Sequence, residues 1–142
     1  MGLWGTGAVI VNNVIAPQTD LGYLPERFSG ICGEAIGGSR VVVYGSDSKM
    51  HYADCQDLTH ANKILGITLQ AGVADEVIIL QAFGQISDSS WTWDVTKAIW
   101  LGSNGLLTQT IPSSGFIIKI GEPSSQTSFI VRIKMPIVLQ EV

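Results

Sequence analysis

Charge is scarce in this chain. Only 14% of its 142 residues are Asp, Glu, Lys or Arg, the formal net charge is −4, and no block of basic residues occurs anywhere. Nucleic acid binding needs a basic stripe to meet the phosphates, so DNA and RNA are not expected as partners. Long hydrophobic runs are lacking too. None approaches the roughly 18 apolar residues of a spanning segment, so no membrane partner is expected. The start, Met1-Gly-Leu-Trp-Gly-Thr-Gly7, has neither the basic residues nor the apolar core of a signal peptide, and synthesis in a cytoplasm follows as the expectation. Met1-Gly2 with Thr6 matches a myristoylation signal only loosely, and that pattern has meaning only in a eukaryotic setting. Cysteine is nearly absent, with Cys32 and Cys55 alone. Two strands of one barrel could pair them, but cytoplasmic assembly favours free, partly buried thiols. No Gly-x-Ser-x-Gly elbow, Walker loop or His-Glu-x-x-His motif is found, and Gly37-Gly38 and Gly102-x-x-Gly105 read as turns with no helix behind them.

What the chain has is apolar residues and turns. Hydrophobic residues make up 46% of it and the mean hydropathy is +0.32, high for a soluble monomer, which places part of the apolar excess in subunit contacts. At 15.2 kDa there is room for one domain with a core. Residues 1–30 combine five glycines, Pro17 and Pro25 with one apolar run, Ala8-Val-Ile-Val11, extended by Val14 and Ile15. That mixture cannot build a core and predicts an extended N-terminal arm, ordered by docking, ahead of a β domain over 31–142. β-branched and aromatic runs predict strands near 40–44, 50–53, 64–69, 76–82, 90–94, 98–101, 106–110, 115–120 and 128–133. Turn compositions separate them at 45–48, 102–105 and 121–125, with Asn104-Gly105 the strongest hairpin mark. Residues 57–63 are the one helical candidate, long enough for two turns at most. Pro136 restricts 134–140 to an edge strand. The expected fold is all-β, a compact β-barrel or β-sandwich with an N-terminal arm and one short helical turn.

Candidate chemistry is sparse. His51, Asp54, Cys55, Asp57 and His60 crowd imidazole, thiolate and carboxylate into ten positions, yet their spacing fits no zinc arrangement. The plainer reading is that Asp57 or Thr59 caps the helical turn and the histidines are polar surface. Ser46, His51 and Asp47 supply the residue types of a hydrolytic triad with nothing to fix their geometry. Asp75-Glu76 reads as a solvated corner rather than an acid/base dyad. No catalytic residue, metal or cofactor is expected.

The aromatic residues divide into two groups. Trp91 and Trp93 alternate across Thr92, so in a strand both rings share a face, which Trp100 and Phe116 could join. Such a face is either a core or intersubunit wall, which is favoured, or a platform for sugar stacking. Trp4 is the one large ring in a segment without a core. With Leu3, Val9 and Val11 it is the expected anchor of the arm in a neighbour or a shell.

Several short pieces occur in a telling order: Gly37-Gly38-x-Arg40-Val-Val-Val-Tyr44, Tyr52-Ala-Asp54, Ile64-Leu-Gly-Ile67, Ala74-Asp-x-Val-x-Ile79, Ser90-Trp-x-Trp93, Ala98-x-Trp-Leu-Gly102, Gly105-x-Leu-Thr-Gln109, Pro112-x-x-Gly-Phe116 and Phe129-Ile-Val-Arg-Ile133. In this order the chain resembles the head decoration and head or tail fibre family of small structural proteins from tailed bacteriophages. The resemblance spans about 31–139. It implies a non-enzymatic virion component, generally homotrimeric, assembled in the host cytoplasm and bound to the major capsid protein on the outer capsid surface. The first thirty residues match nothing in that family, and no coiled coil or fibrous shaft follows. A compact capsid decoration or cement protein that stabilises the mature head is therefore expected over a long fibre. The alternative is a receptor- or glycan-binding module of a phage fibre, in which Trp91 and Trp93 would be exposed.

Overall fold

The computed structural model describes residues 26–139, which form strands joined by tight turns. In chain order the strands are β1 (Glu26–Ile31), β2 (Val41–Tyr44), β3 (Met50–Tyr52), β4 (Ile64–Thr68), β5 (Val77–Ser87), β6 (Ile99–Leu101), β7 (Leu107–Thr108), β8 (Phe116–Ile117), β9 (Lys119–Ser125), β10 (Ser128–Arg132) and β11 (Ile137–Val138). Single 3-10 turns occur at Leu58–His60 and Ser103–Gly105. The fold is all-β, as the sequence predicts.

One sheet runs β3-β2-β4-β5-β10-β9-β6-β7, with β1 added to β5, and a two-stranded sheet pairs β11 with β8. The paired strands are antiparallel, so residues set opposite each other share a face. The large sheet curls into a half-barrel. Its two ends approach where Cys55 N donates to the Gly102 carbonyl at 3.2 Å and Gly105 N donates to that of Ala53.

Two apolar clusters hold this shape. Inside the curl lie Val41, Val43, Ile67, Ile86, Ile99, Leu101, Phe116, Ile120, Phe129 and Val131, all buried. On the opposite face Cys32, Ile36, Val42, Met50, Ile78 and Leu80 pack together, covered by the chain that links β1 to β2. β5 serves both clusters through a change of phase. Gln81 lies opposite Ile67 while Ile78 and Leu80 face the outer cluster, yet Ile86, five residues on, is inside the curl with its partner Phe129. Strict alternation would put Gln81 and Ile86 on opposite faces, and one extra residue restores them to the same one. The register against β1 shifts at that place, with Arg27 opposite Gln81 and Glu26 opposite Phe83. Fully buried Gln81 staples the irregularity, its amide donating to the carbonyls of Phe83 at 3.0 Å and Gln85 at 3.2 Å. Its Oε1 accepts from Arg27 Nε at 3.0 Å.

The structure departs from the sequence reading in four places. Residues 26–30, assigned to the arm, form β1, because the apolar half of β5 supplies them with a ladder. Leu3, Trp4, Val9 and Val11 lie outside the described residues. Residues 121–125, read as a turn, belong to β9. Pro123 is tolerated there because β6 pairs no further than Gly121, which leaves the rest of β9 an edge on that side. Residues 90–94 are a loop rather than a strand. The Asn104-Gly105 hairpin mark joins β6 to β7 as expected, but as a wider loop with a 3-10 turn in which Asn104 and Gly105 take φ of 53° and 73°.

Candidate functional site

The loop that follows β5 is shaped by its own aspartates. Asp88 Oδ1 accepts from Ser90 N at 3.0 Å and Ser90 Oγ at 2.7 Å, and Trp91 N donates back to the Asp88 carbonyl at 3.0 Å. Asp94 repeats the device with Thr96 N at 2.9 Å and Thr96 Oγ1 at 2.6 Å. An aspartate side chain that closes its own turn in this way fixes the backbone without a ladder. Both ends are then tied to the turn between β9 and β10: Asp88 N donates to the Thr127 carbonyl at 2.9 Å and Trp93 N to that of Gln126 at 2.8 Å. From the β7 side Gln109 closes on the loop, accepting from Asp94 N at 3.0 Å and donating to the carbonyls of Asp94 and Lys97.

The loop sets Trp91 and Trp93 side by side over the buried ring of Phe129. The indole centroids are 5.2 Å apart at 47°, and Phe129 lies 5.3 Å from Trp91 and 5.9 Å from Trp93, edge-on to the latter. These are favoured tilted and edge-to-face geometries. Both tryptophans are half-buried and pack on the interior cluster, while Thr92 between them is exposed. The indole N–H of Trp93 is buried and meets no acceptor among the described residues. Phe116 joins the same interior cluster, as the sequence suggested. Trp100 does not; it sits half-buried on β6 between Thr108 and Lys119.

Beside the tryptophans an open groove of about 550 Å³ runs along the mouth of the half-barrel, between the start of β2 and β7. Ser39, Arg40, Asp88, Thr92 and Thr108 line it together with the indoles. Ser39 Oγ donates to Asp88 Oδ2 at 3.0 Å and links its two banks. The Ser90 backbone N–H, then the Ser90 and Ser39 hydroxyls, hold the Asp88 carboxyl below the usual carboxylate range, so it is an acceptor at neutral pH. Arg40 donates through Nη1 to the Asn104 carbonyl at 3.0 Å, and its guanidinium lies 5.0 Å from the centre of the Tyr52 ring. Sequence reading found the Trp pair and missed Ser39, Asp88 and Phe129. The Asp-x-Ser turn at 88–90 was a usable local signal; the approach of Ser39 is tertiary and left none.

The other chemistry-bearing residues disperse. His51 is clasped between two carboxylates, Nδ1 at 3.3 Å from Glu34 and Nε2 at 3.0 Å from Asp47. Both ring nitrogens are thereby committed, and Ser46 acquires no base from it. His60 Nδ1 accepts from Asp54 N at 3.0 Å, its Nε2 lies 3.3 Å from Asp57, and Asp57 caps the 3-10 turn through Thr59 N. Cys55 is buried in the interior cluster and Cys32 in the outer one, each as a free thiol. Burial raises both thiol pKa values, helped by the charges of Glu76 beside Cys32 and Asp54 beside Cys55. Asp75 bonds Lys49 at 2.6 Å while Glu76 turns back to Val73 N at 2.8 Å, so that pair parts company. Among the described residues no three of these ligand types converge to hold a metal ion. Compared with known proteins, the chain matches no family model and no curated sequence.

Proposed function

We propose that this protein is a structural component of a tailed-phage virion, a decoration protein that binds the major capsid protein on the outer surface of the head and stabilises the mature shell. The observation that carries the reading is an exposed apolar strip on the β1–β5 face. Ile31 lies directly opposite Val77, and Ile31, Val77 and Ile79 are 42%, 61% and 38% exposed. Contiguous apolar surface of this kind on a rigid sheet marks a protein contact. The resemblance in motif order supplies the nature of the contact and the trimeric state, and the high apolar content supports self-association in the same assembly. The mechanism is mechanical. Apolar area buried between neighbouring shell subunits must be re-exposed before the shell can rupture, which raises the barrier to bursting.

Two measurements test this. Light scattering at micromolar concentration is expected to give the mass of a homotrimer. Mixing with intact capsids and with capsids stripped of their outer proteins is expected to show binding to the stripped shells, and Val77→Lys with Ile79→Lys is expected to abolish it while leaving the circular dichroism unchanged. A monomer that ignores stripped shells refutes the proposal.

A further inference from the structure

We propose that Asn104 is a latent modification site: its side-chain amide is protected while the half-barrel is closed, and opening of the seam beside it lets the chain convert it to isoaspartate. The asparagines of the sequence are Asn12, Asn13, Asn62 and Asn104, and only the last is followed by glycine. That neighbour matters chemically, because a residue without a side chain leaves its backbone nitrogen unhindered as a nucleophile. The Gly105 nitrogen bonds to Cγ of Asn104, and the amide nitrogen leaves as ammonia, carrying off the proton that Gly105 gives up. A water molecule then opens the cyclic imide. Attack at the side-chain carbonyl gives aspartate; attack at the backbone carbonyl gives isoaspartate, in which the main chain is rerouted through Cβ and Cγ and gains an atom.

The fold demands this labile pair and also guards it. Asn104 has φ 53° and ψ 41°, and Gly105 has φ 73°. Asparagine is among the few residues with a side chain that enter this left-handed region readily. A Cβ at Gly105 would stand 2.6 Å from the Val41 carbonyl oxygen and 2.9 Å from Tyr52 Cδ1, so no side chain fits there. Three features then keep the nucleophile from its target. At ψ 41° the Gly105 nitrogen stands nearly anti to Asn104 Cβ, turned away from the amide it would attack. Its N–H is donated to the Ala53 carbonyl across the seam. The carbonyl of the same peptide accepts from Arg40 Nη1 at 3.0 Å, and the guanidinium is itself braced 5.0 Å from the centre of the Tyr52 ring. Held at both polar ends, the peptide cannot turn about ψ without giving up both bonds, so the reaction waits for the seam to open. Asn104 is exposed, so water is at hand once the imide forms. The product also prevents reclosure: the added main-chain atom moves the Gly105 N–H out of register with Ala53. None of this rests on the virion reading, so either stands if the other fails.

The test incubates the full chain at neutral pH, folded and in guanidinium chloride, and follows Asn104 by peptide mapping with electron-transfer fragmentation, which separates isoaspartate from aspartate. In denaturant Asn104 is expected to be lost before Asn12, Asn13 and Asn62, with isoaspartate as the main product. In the folded chain the loss is expected to be about a hundredfold slower, as for a site competent in roughly one molecule per hundred. Hydrogen exchange of the Gly105 amide reads the same opening independently and is expected to be slowed by a similar factor, since both reactions need that N–H released from Ala53. Arg40→Ala removes the hold on the Asn104 carbonyl and is expected to raise the folded rate about tenfold, as loss of one charged hydrogen bond implies, with the rate in denaturant unchanged. Equal rates in the folded and denatured chain overturn the proposal, as does persistence of Asn104 in denaturant. A Gly105 amide that exchanges freely while Asn104 persists in the folded chain, or an Arg40→Ala folded rate equal to the parent's, also overturns it.

Discussion

Trp93 provides the sharpest test of how the mouth of the half-barrel is held. The ring is half-buried, touches Trp91 and Phe129 at 5.2 and 5.9 Å, and buries an indole N–H with no acceptor among the described residues. Truncating a fully buried Trp to Ala costs about 3–5 kcal/mol. Partial exposure of Trp93 lowers that figure, the two aromatic contacts add about 0.5–1.5 kcal/mol each, and removal of the unpaired donor returns about 1–3 kcal/mol. The balance for Trp93→Ala is a loss of about 2–4 kcal/mol, or roughly 6–12 °C of melting temperature at about 3 °C per kcal/mol for a chain of this size. Trp93→Phe behaves differently. It keeps an aromatic ring against Phe129 and deletes only the unpaired N–H and some area, so it is expected to fall within about 1 kcal/mol of the parent. Urea unfolding followed by circular dichroism gives both values on one scale. If Trp93→Phe is as damaging as Trp93→Ala, the N–H is satisfied in solution and the reasoning fails.

Three further outcomes are expected. Asp47, Asp88 and Asp94 are held below their ordinary pKa by, in order, the Lys49 backbone N–H, the Ser90 backbone N–H and the Thr96 hydroxyl. Lowered carboxylates stabilise the fold above the unfolded value of about 3.9 and lose that contribution as pH falls through the folded values; urea midpoints should therefore be flat near neutrality and drop below about pH 4, less steeply in Asp88→Asn. A Cβ at Gly33 would stand 2.4 Å from His51 Nε2 and one at Gly45 2.6 Å from His51 Cδ2, so Gly45→Ala should cost about 1–3 kcal/mol, and a double-mutant cycle should recover most of it in a His51→Ala background. Cys32 and Cys55, buried and raised in pKa, should resist a thiol reagent in the native protein and react at once in urea; fast native labelling would contradict their burial.

The strands that were legible in the sequence are those whose side chains announce burial on their own. Val41-Val-Val43, Ile64 to Ile67, Val77 to Leu80 and Phe129-Ile-Val131 are runs of β-branched and aromatic residues, and each is a strand. β1 was not legible because Glu-Arg-Phe-Ser-Gly-Ile has two large apolar residues and owes its conformation to the ladder of β5. The proline of β9 and the bulge of β5 were hidden for the same reason: each depends on where a partner strand ends. At the site, Trp91 and Trp93 were found for a partly mistaken reason. The sequence put them on one face of a strand, whereas Asp88 and Asp94 hold them in a loop and Phe129 brings the rings together. Both rings pack on the interior cluster, while the polar bank opposite them was invisible until Ser39 met Asp88.

The double allegiance of β5 governs the order in which the molecule can assemble. β2 pairs with both β3 and β4, so this three-stranded unit lies within residues 41–68 and is available as soon as Thr68 has left the ribosome. β1 is made first but must wait for β5, while residues 84–87 of β5 wait longer still, for β10. Until Phe129 arrives, Trp91 and Trp93 have no ring to rest on, and the interior side of the curl faces water. Closure across such long stretches of chain is slow, on the scale of milliseconds to seconds, and its last step comes from the final quarter of the sequence. A chain cut short before β10 therefore lacks the ring beneath its tryptophans and the partner of residues 83–87 of its longest strand. Exposed strand edges of that kind recruit one another, so truncated chains should collect as aggregates rather than as smaller folded versions of the protein.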